Sequence, residues 1–235
     1  MLPLFACALA VDSTALLPQT MFDADSRVGV LKTFSTPLGD IDAQVLGAWP
    51  QLPAALLIHG ATGDADHLAE WDDTATALAS AGYSVLLPNF FSLSGGQLPD
   101  DDGMEQVLDA LLPVGSMLLG KSLGGARAGT YAASHTGNLS KLVLDAPALM
   151  GEDEITPIAS ALVDLPLLLL WCEDDPTVPF SNADNWLAAA PDATLFTNAT
   201  GGHWVVDEFV PVVVEFATGG TSTRAAARRQ RRRDA

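Results

Sequence analysis

The sequence predicts an α/β protein with a mainly parallel central sheet and helices on both faces. Two observations carry this. From Ala54 onward, short apolar runs alternate with helix-like segments, and glycine or proline punctuates the joints. At 235 residues and 49% hydrophobic, the chain is also long enough to bury a substantial core within one domain. No period of roughly 20–50 residues recurs, which argues against a repeat architecture.

The elements follow in order. VGVLKTF and IDAQVLGAW precede the alternating series and are expected to pair as an antiparallel edge hairpin. AALLIH, from Ala54, reads as a short buried strand, HGATGD as a glycine turn, and ADHLAEWDDTATALASAG as a helix stopped by Gly82. YSVLLP is the next strand, FFSLSGGQLPDDDG a turn-rich loop, and MEQVLDALL a helix. VGSMLLG is an apolar run ending in glycine, and SLGGARAGTYAASHTGN a helix of small residues ending at Gly137. KLVLDAPA is a strand leading to an interval with room for one short helix, after which LPLLLLWCEDD is again a strand. NADNWLAAAP is helical, ATLFTNA a strand and GGH a turn. VVDEFVPVVVEFA closes the series as a helix, against the preference of Pro211 and of its β-branched residues.

Charge limits the partners. The net charge is −18, yet six of the 11 basic residues are arginines crowded between Arg224 and Arg233. Residues 1–223 therefore hold five basic and 28 acidic side chains, which argues against nucleic-acid binding by the folded part and disfavours polyanionic substrates. The domain boundaries expected are an N-terminal extension over residues 1–25, a folded domain over 26–218 and a disordered Arg-rich tail over 219–235. MLPLFACALAV is apolar with a small-x-small step at Ala8-Leu9-Ala10 but lacks the basic start of a secretory signal. No run approaches the roughly 18 apolar residues of a membrane span. A cytoplasmic location is the expectation. The tail offers a nuclear alternative and the apolar start a secreted one.

Cys7 and Cys172 stand alone, without a C-x-x-C partner, and Cys172 falls inside an apolar run where it reads as a small buried hydrophobe. A zinc set drawn from His59, Asp64, Asp66 and His67 matches no zinc spacing and straddles a loop and a helix. No metal and no cofactor is expected.

The stretch GSMLLGKSLGG, Gly115–Gly125, fits two chemistries. From Gly115 it satisfies the phosphate-loop pattern G-x-x-x-x-G-K-[ST], and from Gly120 the nucleophile-elbow pattern G-x-S-x-G. The phosphate reading, a nucleotide binder, needs a strand ending at Gly115 and a polar, flexible loop after it. Pro113 spoils the strand, and Ser116-Met117-Leu118-Leu119 is itself strand-like. The elbow reading makes GSMLL the strand and places Ser122 at a helix N-terminus, where the dipole and the Leu123 N–H favour an oxyanion. A serine needs a base, and the base needs a carboxylate. His203, in a glycine turn after the last strand, supplies the first; Asp174 or Asp175, just past the preceding strand, supplies the second. Ala61, after His59-Gly60, is the natural second oxyanion donor, with His59 bracing its loop. His135, in the last turn of a helix, and His67, at a helix start, carry no such company.

Over residues 40 to 217 these features resemble the α/β-hydrolase superfamily: His59-Gly60, Gly120-Lys121-Ser122-Leu123-Gly124, Asp175-Pro176-Thr177-Val178-Pro179 and Gly202-His203, in the order Ser, Asp, His. The resemblance implies an α/β-hydrolase fold with nucleophile Ser122, base His203, orienting acid Asp175 rather than Asp174, and oxyanion donors Ala61 and Leu123. The interval from Asp145 to Pro166 is too short for the helical lid many members insert, so the site should be open. Similar lidless members include dienelactone-hydrolase-like enzymes, small carboxylesterases and thioesterases. The expected activity is serine hydrolysis of a small carboxylic ester or thioester through an acyl-serine, with Phe90, Phe91, Leu93 and Met150 placed either in the acyl pocket or in the core. GKSLGG and LDAPAL also resemble hydrolase-like subunits of histone-acetylation complexes, which makes a non-catalytic interaction module the alternative.

Overall fold

The computed structural model describes residues 28–61, 68–93 and 96–219. The apolar start with Cys7 and the Arg-rich tail, on which the secreted and nuclear alternatives rest, lie outside the described residues. So do Asp64, Asp66 and His67.

Among the described residues, eight strands form one sheet in the order β1-β2-β4-β3-β5-β6-β7-β8. β1 (Val30–Thr36) and β2 (Gly39–Leu46) form the expected antiparallel hairpin, and β2 also runs antiparallel to β4 (Ser84–Asn89). From β4 onward the sheet is parallel, through β3 (Ala54–Ile58), β5 (Ser116–Lys121), β6 (Leu139–Asp145), β7 (Leu167–Cys172) and β8 (Thr194–Asn198). β3, β5 and β7 are buried at every residue. That is why their sequences are continuous apolar runs rather than alternating ones.

Successive residues of these strands feed two cores. Leu56, Ile58, Leu118, Leu142, Leu144, Leu169 and Trp171 face one side, covered by α2 (Asp101–Leu111), α3 (Ser122–Ser134), α4 (Glu152–Ala161) and α5 (Asn182–Ala189). Ala55, Leu57, Met117, Leu119, Val143 and Leu170 face the other, covered by α1 (Asp72–Ser80) and α6 (Phe209–Thr218). The period-two alternation of a pleated strand produces this split.

Two element boundaries differ from the sequence reading. α2 starts at Asp101, three residues before MEQVLDALL, because Asp100 caps it by accepting from the Gly103 N–H at 2.9 Å and Asp101 and Asp102 fill its first turn. Acidic residues there complement the helix dipole, so DDDG belongs to the helix start and not to the loop. Pro211, in turn, sits in the first turn of α6, where its missing N–H would have found no partner in any case. The interval after β6 holds α4 alone, packed against α3 and α5, and no inserted lid.

Candidate functional site

Four parallel strands deliver the candidate residues to one edge. His59-Gly60-Ala61 leave the carboxyl end of β3, Ser122 follows the last residue of β5, Asp175 lies three residues past β7, and His203 five past β8. The carboxyl edge of a parallel sheet is where such sites collect.

The stretch from Gly115 resolves clearly. Ser116–Lys121 is a buried strand paired to both β3 and β6, so its backbone N–H groups are committed to the sheet and cannot wrap a phosphate. The nucleotide-binding reading is thereby corrected. At Ser122 the backbone turns sharply, with φ of 52°, a left-handed value that costs a non-glycine residue about 1–3 kcal/mol. Helix α3 begins at that residue, so the Leu123 N–H lies in its unpaired first turn. The turn closes only because its neighbours lack side chains. A Cβ at Gly120 would strike the Gly124 carbonyl, and one at Gly124 would strike the carbonyl oxygen of His59. Helix α3 thus rests directly on the loop after β3. Gly60 faces Ser122 across this contact, with the position of its missing Cβ 3.7 Å from the Ser122 Cβ.

His203 and Asp175 meet, the imidazole Nδ1 donating to Asp175 Oδ2 at 2.7 Å. Asp175 Oδ1 accepts from the N–H groups of Thr177 and Val178 at 2.8 and 2.9 Å, and the Trp171 indole donates to the Val178 carbonyl at 3.0 Å. The carboxylate is therefore held on both oxygens before it holds the histidine. Asp174 takes the other part left open by the sequence: its Oδ1 accepts from the Gly202 N–H at 2.7 Å and braces the turn that carries His203.

His59 fulfils the bracing role expected of it. Its Nδ1 donates to the Gly60 carbonyl at 2.8 Å and its Nε2 accepts from the Phe90 N–H at 3.1 Å, an arrangement that requires the neutral ring and occupies both nitrogens. Phe91 stacks on that ring at 4.7 Å and is half-buried. Of the two placements left open for Phe90 and Leu93, the structure gives the core: both are buried, Phe90 without exposed surface, and Phe90 opens a 3₁₀ turn over Phe90–Ser92. Met150 is 50% exposed. Trp204, next to the histidine and 45% exposed, carries apolar surface that the sequence reading missed. His135 caps α3, donates from Nδ1 to the Tyr131 carbonyl at 3.0 Å and stacks on that tyrosine.

Two acidic side chains also went unassigned. Glu70 accepts from the Gly60 N–H through Oε1 at 3.1 Å, which fixes the loop carrying Ala61. Asp145, at the end of β6 and 2% exposed, has its pKa pushed up to about 7 by desolvation, against the pull of Lys121 and with the repulsion of Glu70 and Asp175. A carboxyl whose pKa is raised from the ordinary 3.8 holds its proton more tightly when folded, so its stabilising contribution is complete below that ordinary value and is lost as pH rises through about 7. Asp145→Asn is therefore expected to raise the melting temperature more at pH 8 than at pH 5. Equal shifts at both pH values would show that Asp145 keeps an ordinary pKa. Cys172, as expected, is a buried thiol whose pKa is raised to about 11, mainly by desolvation.

No family model and no curated protein matches this sequence. Solved structures do. The meta-cleavage product hydrolase CumD from Pseudomonas fluorescens IP01 is 16% identical, with 81% of this chain and 98% of that one covered and a TM-score of 0.64. The chain has the α/β-hydrolase fold. Carboxylesterase CesB from Bacillus subtilis shares the hydrolase fold at 16% identity, with 83% and 93% covered and a TM-score of 0.64. MGS-MChE2, an α/β hydrolase from the metagenome of lagoon sediments at Mar Chica, Morocco, does so at 20% identity, with 81% and 98% covered and a TM-score of 0.63. In this fold Ser122, Asp175 and His203 each lie just past the carboxyl end of a parallel strand.

Proposed function

We propose that the protein is a serine hydrolase that cleaves a small carboxylic ester or thioester through an acyl-Ser122 intermediate. The observation that carries this reading is the Nδ1–Oδ2 bond of 2.7 Å between His203 and Asp175 at the strand edge that also presents Ser122 on its strained turn. With Nδ1 protonated and held by the carboxylate, Nε2 is the basic nitrogen of the ring. It takes the Ser122 proton as Oγ attacks the acyl carbon, and returns it to the departing alcohol or thiol. The imidazolium formed in between is stabilised by Asp175. The tetrahedral oxyanion is received by the N–H of Leu123, at the positive end of α3, and by that of Ala61. Water then repeats the cycle on the acyl-enzyme, with His203 again the base, and the carboxylic acid leaves.

The interval between β6 and β7 holds a single helix and no inserted lid, which favours short and varied acyl groups over long chains. Met150 and Trp204 are the exposed apolar side chains best placed in sequence to meet them. The test is a panel of acyl esters and thioesters of graded length, combined with a fluorophosphonate probe and identification of the labelled peptide. Turnover that falls off with acyl length, and label on Ser122, are expected. No turnover across the panel together with no label on Ser122 would refute the reading.

A further inference from the structure

Lysine is almost never fully buried unless its charge is met, because desolvating an ammonium is costly. Lys121 is 1% exposed. It is the residue immediately before Ser122, at the end of β5, and neither the triad nor the oxyanion donors use it. Its Nζ donates to the backbone carbonyl of His203 at 2.8 Å, a hydrogen bond spanning 82 residues of sequence.

We propose that Lys121 is a positioning residue that clamps the main chain of the catalytic base to the nucleophile's own strand. This rests on the serine-hydrolase reading. The reason a clamp is needed lies in the turn. His203 follows Gly201 and Gly202, which have φ of 138° and 60° and bring no side chain of their own to anchor the turn. Asp175 fixes the rotation of the imidazole, and Asp174 holds the Gly202 N–H. Neither fixes the carbonyl end of His203. Lys121 does, with a charge-assisted bond from a fully packed side chain that has no slack. Ser122 and the backbone of His203 are thereby tied through a single side chain. A displacement of about 1 Å between reacting groups costs on the order of 100-fold in rate.

A second role competes with this one. Lys121 is the register partner of Asp145 on β6 and acts on its charge, so the lysine could serve that carboxylate alone. The two roles separate in a double variant. Lys121→Met removes donor and charge together, and Lys121→Met with Asp145→Asn removes the buried pair while leaving no uncompensated charge; if the single variant does not fold, the double variant carries the test. The expected result is a kcat for ester hydrolysis lowered about 10- to 100-fold with KM unchanged in both. A folded double variant with wild-type kcat would overturn the clamp. A wild-type protein that turns over no ester would overturn the hydrolase reading instead. The clamp would then be judged by the downfield Nδ1 proton resonance of His203, expected in the wild type and lost to exchange in the double variant; its persistence there would overturn the clamp.

Discussion

Replacing Ser122 by alanine is expected to lower kcat for ester hydrolysis by about 10⁴–10⁶-fold while leaving the melting temperature unchanged. The rate falls because the covalent step loses its nucleophile. What remains is the modest catalysis of the oxyanion donors acting on water. Stability is spared because the strain at this position belongs to the backbone: serine and alanine carry the same Cβ into a φ of 52°, so the cost is common to both. His203→Ala is expected to cost nearly as much, and Ser122→Ala with His203→Ala little more than either alone, since the two act as a unit. Asp175→Asn should lose about 10⁴-fold, because an amide can present its N–H to the ring and hold the wrong tautomer. Steady-state kinetics on a purified, folded set of variants checks all of this. Wild-type kcat in Ser122→Ala would show that the hydrolysis occurs elsewhere.

The second large effect is expected at Gly124. A methyl group there would overlap the His59 carbonyl oxygen and lie 2.9 Å from the Ile58 carbonyl oxygen, and both are backbone atoms at the end of β3 and the loop leaving it rather than parts of a pliable side chain. Helix α3 and strand β3 must move apart to admit it. Overpacking of this kind costs about 1–3 kcal/mol or more, which for a chain of this size is roughly 2–4 °C of melting temperature per kcal/mol. Activity should fall further than stability alone explains, because the displaced segment carries Gly60 and Ala61 away from Ser122. Gly137→Ala, where a Cβ would meet nothing within 4 Å, is the control expected to melt and turn over as wild type does. A Gly124→Ala protein indistinguishable from that control would mean the close approach of helix and strand is dispensable.

Most of the framework is legible in the sequence, for a physical reason. Strands buried on both faces are mostly apolar, so AALLI, the SMLL of β5 and LLLLWC announce themselves, and the glycines of GKSLGG appear where backbones touch. The order Ser122, Asp175, His203 survives into contact between the last two. Adjacent Asp174 and Asp175 were indistinguishable by spacing, since a carboxylate that braces a turn and one that orients an imidazole have the same composition. The structure divides them by partner. Glu70 and Lys121 left no trace because each bonds a backbone atom, the Gly60 N–H and the His203 carbonyl, and any sequence offers a backbone acceptor or donor. Spacing could not choose between pocket and core for Phe90 and Phe91; the short 3₁₀ turn buries Phe90 in the core while Phe91 stays half-buried on His59.

The chain visits the carboxyl edge at residues 59–61, 122, 175 and 203, each visit following a different strand of the parallel sheet. Neighbouring parallel strands must wait for a crossover to close, and such distant pairings form late and slowly in folding. No contiguous fragment of the chain shorter than the span from β3 to His203 holds the full set of groups. On the serine-hydrolase reading, chemistry and completion of the sheet are for this molecule the same event: a chain caught during synthesis with β8 still missing would carry its serine on a finished turn with no base to activate it.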